Sequence, residues 1–346
     1  MRWLVMREGR LYSKRPNSAK VDCMVCERKC IIGPGMTGIC GNYVNLNGRL
    51  YSVGYGRLSA FESRPIEIKP LYHYWPNSTA LTFSSWGCNF YCPWCQNHRL
   101  SFTHPRLEDP VIEPDHLVEL AVASGDEGLS ASFNEPTVNY EYLLDVAQVA
   151  RGSGLYLSIV TNGYQSLNSL TELVEAGFDG WCVDVKGCPG MKKALVSIDH
   201  SKVFRNARKI LDMGGHVEMV YLVVTNTNCY EECFKWIINT HLSELGPETP
   251  LHINRYYPAH KWRERRTPLE ELLNIYAESL REGIEYVYVG NLGDPDLETT
   301  RCPKCSKTLI QRQNYRVKSF NLSSEGGHYR CPRCGNKIPI RGRYVT

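Results

Sequence analysis

The 346-residue sequence contains no run of eighteen or more apolar residues, the length at which a membrane-spanning helix is expected. It also lacks an excess of one charge. Forty Lys and Arg face 36 Asp and Glu, a formal net charge of +4, which supplies no electrostatic footprint for nucleic acid. Low-complexity linkers are absent, and with 42% hydrophobic and 22% charged residues disorder is excluded as the main state. The apolar stretch at the start of MRWLVMREGRLYSKRP is broken at Arg7 and Glu8, too early for a signal peptide, so a cytoplasmic protein without a membrane span is expected.

What is abundant is cysteine. Fifteen Cys, an odd number, in a chain without a secretion signal argue against a disulfide framework and for metal ligation where they cluster. They cluster as Cys23, Cys26, Cys30 and Cys40; as Cys88, Cys92 and Cys95; and as Cys302, Cys305, Cys331 and Cys334. Cys182, Cys188, Cys229 and Cys233 are scattered. A third metal site on Cys188, Cys229 and Cys233 is conceivable, although isolated free thiols are commoner.

From about residue 79 to 291 short β-rich runs alternate with helical patterns, the signature of βα units around a parallel sheet. Strands are expected at Thr79–Ser84, Gly128–Phe133, Leu155–Val160, Asp179–Val185, His216–Val224, Leu251–Asn254 and Glu285–Val289. Between them fit helices at Pro114–Ser124, Val138–Arg151, Leu167–Ala176, Val203–Met213, Tyr230–Leu245 and Pro268–Arg281, several of them stopped by Gly. The expected fold class is therefore α/β, a complete or partial (β/α) TIM-type barrel. Residues 1–78 form an N-terminal Cys-rich lobe with a hairpin signal at Asn47-Gly48, residues 79–298 the barrel, and residues 299–346 a four-Cys rubredoxin- or zinc-ribbon-like module. In a barrel the working face lies at the C-terminal strand ends, and polar residues follow nearly every strand here.

Cys88-Asn-Phe-Tyr-Cys92-Pro-Trp-Cys95 offers three thiolates on one loop, one fewer than a closed zinc site or an ordinary iron-sulfur cluster takes. A cubane held by three Cys leaves one iron open to a small molecule. Cys302-Pro-Lys-Cys305 and Cys331-Pro-Arg-Cys334 read as a tetrahedral four-thiolate site for zinc or rubredoxin-like iron, a structural staple before anything else. The quartet Cys23, Cys26, Cys30 and Cys40 could close around zinc or hold an auxiliary [4Fe-4S] cluster; it lacks the paired knuckles of a ribbon, which favours the cluster.

The CxxxCxxC spacing, with Trp94 before the last Cys, resembles that of radical S-adenosylmethionine (SAM) enzymes. The stretches CMVCERKCIIGPGMTGICGN, PIEIKPLYHYWPNS, GCNFYCPWCQN, FNEPT, DVKG, LHINRYYPAHKW and CPKC…CPRCG further resemble the radical SAM member of the AmmeMemoRadiSam group, relatives of the pyruvate formate-lyase activating enzymes. This resemblance implies a partial α/β barrel, a [4Fe-4S] cluster on Cys88, Cys92 and Cys95, and SAM lying across the strand ends. It implies reductive cleavage of SAM to a 5'-deoxyadenosyl radical that abstracts hydrogen from a small-molecule, lipid or peptide substrate, with a ferredoxin or flavodoxin as electron donor. Asn134-Glu135-Pro136 stands where the superfamily grips the methionine amino group; its glycines are missing, and the same residues could simply start a helix. Asn162 could face ribose or carboxylate, or only form the Asn-Gly turn. Asp184 and Lys186 share a strand face with Cys182 and are expected either to touch ligand or to pair with each other. Arg255 and His252 end a strand near where adenosyl contacts are offered. Three other functions remain open at this level. One is an activase that installs a glycyl radical on a partner protein. The second is a zinc-ribbon scaffold or RNA-binding module without SAM chemistry, which the charge balance disfavours. The third is an electron carrier built of iron sites.

Overall fold

The computed structural model describes residues 6–191 and 198–346. The N-terminal stretch on which the signal-peptide reading rests lies largely outside the described residues. The chain divides into two compact units, one of residues 6–64 and 80–179, the other of residues 65–79 and 180–346.

In the first unit, β1 (Leu58–Pro65), β2 (Thr79–Ser85), β3 (Gly128–Ala131) and β4 (Tyr156–Thr161) lie in that order. β2, β3 and β4 are parallel, with Ala80 opposite Gly128 and Gly128 opposite Tyr156. All of β3 is buried, as expected of a parallel strand covered on both faces. Gly128 is required there, because a Cβ would meet the Tyr156 ring at 2.2 Å. The crossovers are α1 (Pro114–Ala123), α2 (Tyr140–Ala150) and α3 (Leu167–Ala176). α2 buries Leu143, Leu144, Ala147 and Ala150, the face that its periodicity gives. α3 opens on Ser166, whose hydroxyl accepts from Ser169 N at 3.2 Å, and stops at Gly177 with φ 118°.

Two boundaries differ from the sequence expectation, for one reason. β3 ends at Ala131 because Phe133 takes a left-handed φ of 69°, and the helix expected from Val138 begins with a 3-10 turn, Pro136–Asn139, before α2. The Asn-Glu-Pro segment thus forms a built corner between strand and helix. The rest of this unit is two small antiparallel sheets. One holds Tyr12–Lys14, Val21–Cys23 and Ile31–Ile32; the other holds Arg7–Glu8, Arg49–Ser52 and Tyr43–Leu46. The Asn47-Gly48 turn is present with φ of 53° and 75°, the type I′ geometry its sequence calls for.

In the second unit β5 (Phe178–Val185, entering from the first unit), β6 (His216–Val223), β7 (Leu251–Arg255) and β8 (Val287–Gly290) run parallel. They alternate with α4 (Ser201–Asp212), α5 (Glu231–Leu245) and α6 (Leu269–Glu282). Three-stranded antiparallel sheets at Thr300–Phe320 and Ser323–Ile338 carry the last four cysteines of the chain. Cys302, Leu309, Ile310, Val317, Cys331 and Ile338 share a hydrophobic cluster with Tyr72, Tyr286 and Tyr288, so the ribbon has a core of its own unit to rest on. The fold is α/β, with mostly parallel sheet in each unit. No helix among the described residues is long and apolar enough to cross a membrane.

Candidate active site

The loop after β2 turns at Gly87 (φ 80°) and delivers Cys88 and Cys95, half-buried, and Cys92, buried. Phe90 N donates to Cys88 Sγ at 3.4 Å, and Cys95 N closes a turn on Cys92 O at 3.1 Å. Burial pushes the Cys88 thiol well up, and the charge of Glu135 adds to this. Such a thiol stays neutral until a cation arrives to displace its proton. Trp94 is buried beside the last of the three.

The polar residues at the ends of β2, β3 and β4 meet this loop. Asn134 Nδ2 donates to Ser85 Oγ at 3.0 Å and to Gly87 O at 2.7 Å, while its Oδ1 is buried without a hydrogen-bond partner. Asn162 Nδ2 donates to Asn89 Oδ1 at 2.7 Å, which places the Thr-Asn-Gly corner of β4 directly on the cysteine loop. Asn89 is one of the unspecified residues of CxxxCxxC, and no spacing rule singles it out. It is fully buried, and its Nδ2 also has no hydrogen-bond partner of normal geometry.

Glu135 is 1% exposed and satisfied within the chain. Its carboxylate accepts from Thr137 N at 3.1 Å, Thr137 Oγ1 at 2.7 Å, Thr161 Oγ1 at 2.9 Å and Asn162 N at 2.8 Å. Burial raises its pKa, and the hydrogen bonds from Thr137, Asn162 and Thr161 oppose the rise. Of the roles expected of this segment the structure shows the helix start, since Glu135 caps the 3-10 turn, and its carboxylate also ties the β3 corner to the β4 corner.

The sequence profile of the Radical SAM superfamily matches residues 84–237 of this chain, beginning at the end of β2 and taking in the three-cysteine loop. The chain belongs to the radical SAM superfamily. An uncharacterized protein of Methanocaldococcus jannaschii is 37% identical over 338 residues, 97% of this chain and 99% of that one. Among solved structures, a radical SAM methyltransferase from Sphaerobacter thermophilus aligns at 15% identity and a TM-score of 0.49 over 62% of this chain and 66% of that one. A domain of pyruvate-formate lyase-activating enzyme from Bacteroides vulgatus aligns at 14% identity and a TM-score of 0.41, covering 47% of this chain and 99% of that one. Membership implies an enzyme that uses a [4Fe-4S] cluster, SAM, a substrate and a reductant, and it removes the scaffold reading without SAM chemistry. The residues present fit these groups: three thiols on one loop, and beside them a buried amide oxygen, Asn134 Oδ1, without a hydrogen-bond partner.

The ribbon of the second unit is a different kind of metal site. The sulfurs of Cys302, Cys305, Cys331 and Cys334 all lie within 4.8 Å of one another, with Cys302 to Cys334 at 3.5 Å and Cys305 to Cys331 at 3.6 Å. Zn–S bonds of 2.3 Å in a tetrahedron require S···S edges of about 3.8 Å. Although burial acts against it, the N–H groups of Arg333 and Cys334 hold the Cys331 thiol down at about 7, ready to ligate.

The remaining expectations fall in the second unit. Asp184 and Lys186 pair with each other, the mutual ion pair their strand face allows, and Cys182 beside them is buried. Arg255 donates Nε–H to Thr267 O at 2.7 Å and lies over the Tyr257 ring. His252 needs correction, because it is the second residue of β7 and so sits near the strand's N-terminal end, away from the working face. There it is buried and shares Glu218 with two other groups. Glu218 Oε2 is 2.7 Å from His252 Nε2, and Glu218 Oε1 is 3.0 Å from His216 Nε2 and accepts from His73 N at 2.7 Å. Burial works against ionisation of Glu218, but the hydrogen bonds of His216 and His252 hold it well below the ordinary carboxylate range. A lone acid in the apolar run HVEMVYLVV was the available signal for this network. The third metal site is also corrected. Cys188 and Cys233 are joined in a disulfide with a Cα–Cα distance of 5.4 Å, because α5 turns Cys233 inward to meet the loop after β5. Only Cys229 of that group is left as a thiol.

Proposed function

We propose that this chain reductively cleaves SAM at a [4Fe-4S] cluster held by Cys88, Cys92 and Cys95, and uses the resulting radical to take hydrogen from its substrate. When bound, the cluster supplies one electron to the sulfonium of SAM, giving methionine and a 5'-deoxyadenosyl radical. The observation that carries the reading is the open set of three thiols on one loop, joined through Asn162 and Asn134 to the ends of the neighbouring strands. Asn134 offers its unpartnered Oδ1 as an acceptor for the amino group of the cosubstrate, and Asn162 faces the same corner. Glu135 acts as a positioning residue, since its oxygens already accept from Thr137, Thr161 and Asn162. Trp94 shields the loop from water. The motif series points within the superfamily to the AmmeMemoRadiSam group, and to a domain plan of lobe 1–78, barrel 79–298 and ribbon 299–346. The reductant is a ferredoxin or flavodoxin, and the ribbon holds zinc or a single iron. The test is anaerobic: the protein is reconstituted with iron and sulfide, dithionite and SAM are added, and 5'-deoxyadenosine is quantified beside Cys92→Ser. Product that depends on Cys92 supports the reading, and no product from a protein with its iron and sulfide verified removes it.

A further inference from the structure

We propose that Cys23, Cys26, Cys30 and Cys40 hold a second iron-sulfur cluster, and that Asn89 couples it to the Cys88–Cys92–Cys95 loop as an electron relay. The inference rests on the radical SAM reading of that loop and adds to it where the electron enters.

The four thiols line one small pocket together with Tyr43, Thr137 and Val138. Their spacing separates them from the ribbon. Among the described residues only the ribbon brings three or more ligating side chains within 4.8 Å of one another, and the N-terminal quartet does not. A single zinc ion needs all its sulfurs at edges of about 3.8 Å, whereas a cubane spreads its ligands around a larger body. The loop thiols Cys88, Cys92 and Cys95 likewise fall outside that limit.

The quartet is also built against the loop along two seams that converge on Cys88. On the first, Arg28 donates Nε–H to Asn89 O at 2.9 Å, and Cys26 pairs with Gln165 next to the Asn162 corner. Asn89 stands between the two sets of thiols. Its Oδ1 is 3.8 Å from Cys88 Sγ, and its buried side chain also reaches Cys26. On the second seam, Asn42 Nδ2 donates to Cys40 O at 3.1 Å and to Trp86 O at 2.7 Å. A Cβ at Gly87 would meet Cys40 O at 2.2 Å, so glycine is what lets the two cysteine segments approach. Tyr91 closes the seam by donating to Ile39 O at 2.9 Å. Amide donors to cluster sulfurs tune both the potential and the coupling of such sites.

The electron count is simple. A low-potential one-electron donor of the ferredoxin or flavodoxin class loses one electron to the quartet's site, and the same electron leaves past Asn89 to the loop. No bond is made or broken until SAM is reached.

The test uses the full chain. In a Cys88→Ser/Cys92→Ser/Cys95→Ser variant, anaerobic reconstitution should leave about four irons and four labile sulfides, with a reduced electron paramagnetic resonance signal that SAM does not alter. Zinc without sulfide at the quartet overturns the proposal. No SAM chemistry enters that measurement, so it fails or succeeds independently of 5'-deoxyadenosine formation. In the wild type, the two reduced sites should broaden each other's signals, and two sharp independent signals would count against the relay. Asn89→Ala and Cys26→Ser/Cys40→Ser should slow reduction of the loop site by ferredoxin roughly 10- to 100-fold while dithionite still reduces it. An unchanged ferredoxin rate in both variants overturns the relay.

Discussion

The ribbon of the second unit and the cysteine sites of the first use the same side chain for opposite ends. In the ribbon four sulfurs converge within 4.8 Å, two of them buried, on a small hydrophobic cluster that includes Tyr72, Tyr286 and Tyr288. Nothing is left open there; a closed tetrahedral site orders its segment and offers no coordination position for chemistry. In the first unit no three thiols meet that limit, and the polar groups around them include a buried amide oxygen, Asn134 Oδ1, without a partner. Unsatisfied buried polar atoms are costly for stability, so they mark a place shaped for a ligand rather than for the fold alone. Thiol count alone does not distinguish a staple from a reaction centre. Spacing and the polar neighbours do.

The largest effect that would sharpen this contrast is removal of the ribbon's metal. Cys331→Ser should destabilise the protein by several kcal/mol, a share of the roughly 10 kcal/mol that structural zinc contributes. Thermal unfolding and metal analysis would record the loss of one metal with the iron of the three-cysteine loop retained. Parallel loss of loop iron would break the contrast.

Next comes acid. His241 in α5 is fully buried, its Nε2 2.9 Å from Thr249 O, and burial holds it down at about 4; His73 is held at about 3. Both stay neutral in the fold while an unfolded imidazole titrates near 6.5. The unfolded chain therefore binds more protons between about pH 6.5 and 4, and stability that is complete above this window falls as pH drops through it. His241 alone accounts for about 3 kcal/mol. Denaturant midpoints at pH 7.5 and 4.5 should converge in His241→Asn, and an unaltered pH dependence would exclude this residue as the cause.

Glu135→Gln should cost about 2 kcal/mol, because an amide cannot accept from Thr137, Thr161 and Asn162 together. If Glu135 positions the corner, the variant should also weaken SAM binding measured by calorimetry; full affinity at reduced stability would make the clamp purely structural. Lys186→Met is expected to have the smallest effect, about 1 kcal/mol, since the Asp184 side chain keeps 23% of its surface in water. A loss of activity at unchanged melting temperature would instead place this pair in the reaction.

Much of this was legible in the sequence. The strands from Thr79 to Gly290 and the helices between them lie within a few residues of where periodicity and glycine stops put them, because those signals are local. The ribbon was equally plain from two CxxC knuckles. What the sequence misplaced depends on depth and direction. His252 looked like a strand-end contact because its position within the strand is invisible until the register is known. Cys188 and Cys233, 45 residues apart, carry no sign that a helix face will bring them together.

The sequence by itself determined the βα series, the three cysteine groups and the superfamily they declare, since each is written in spacing along the chain. Only the tertiary structure decided that Glu135 is satisfied within the protein, that Asn89 lies between two thiol sets, and that the ribbon's sulfurs converge while the others do not. Those outcomes rest on contacts between residues as far apart as Cys26 and Asn89, or Glu135 and Asn162, whose geometry is fixed by packing and has no counterpart in local sequence.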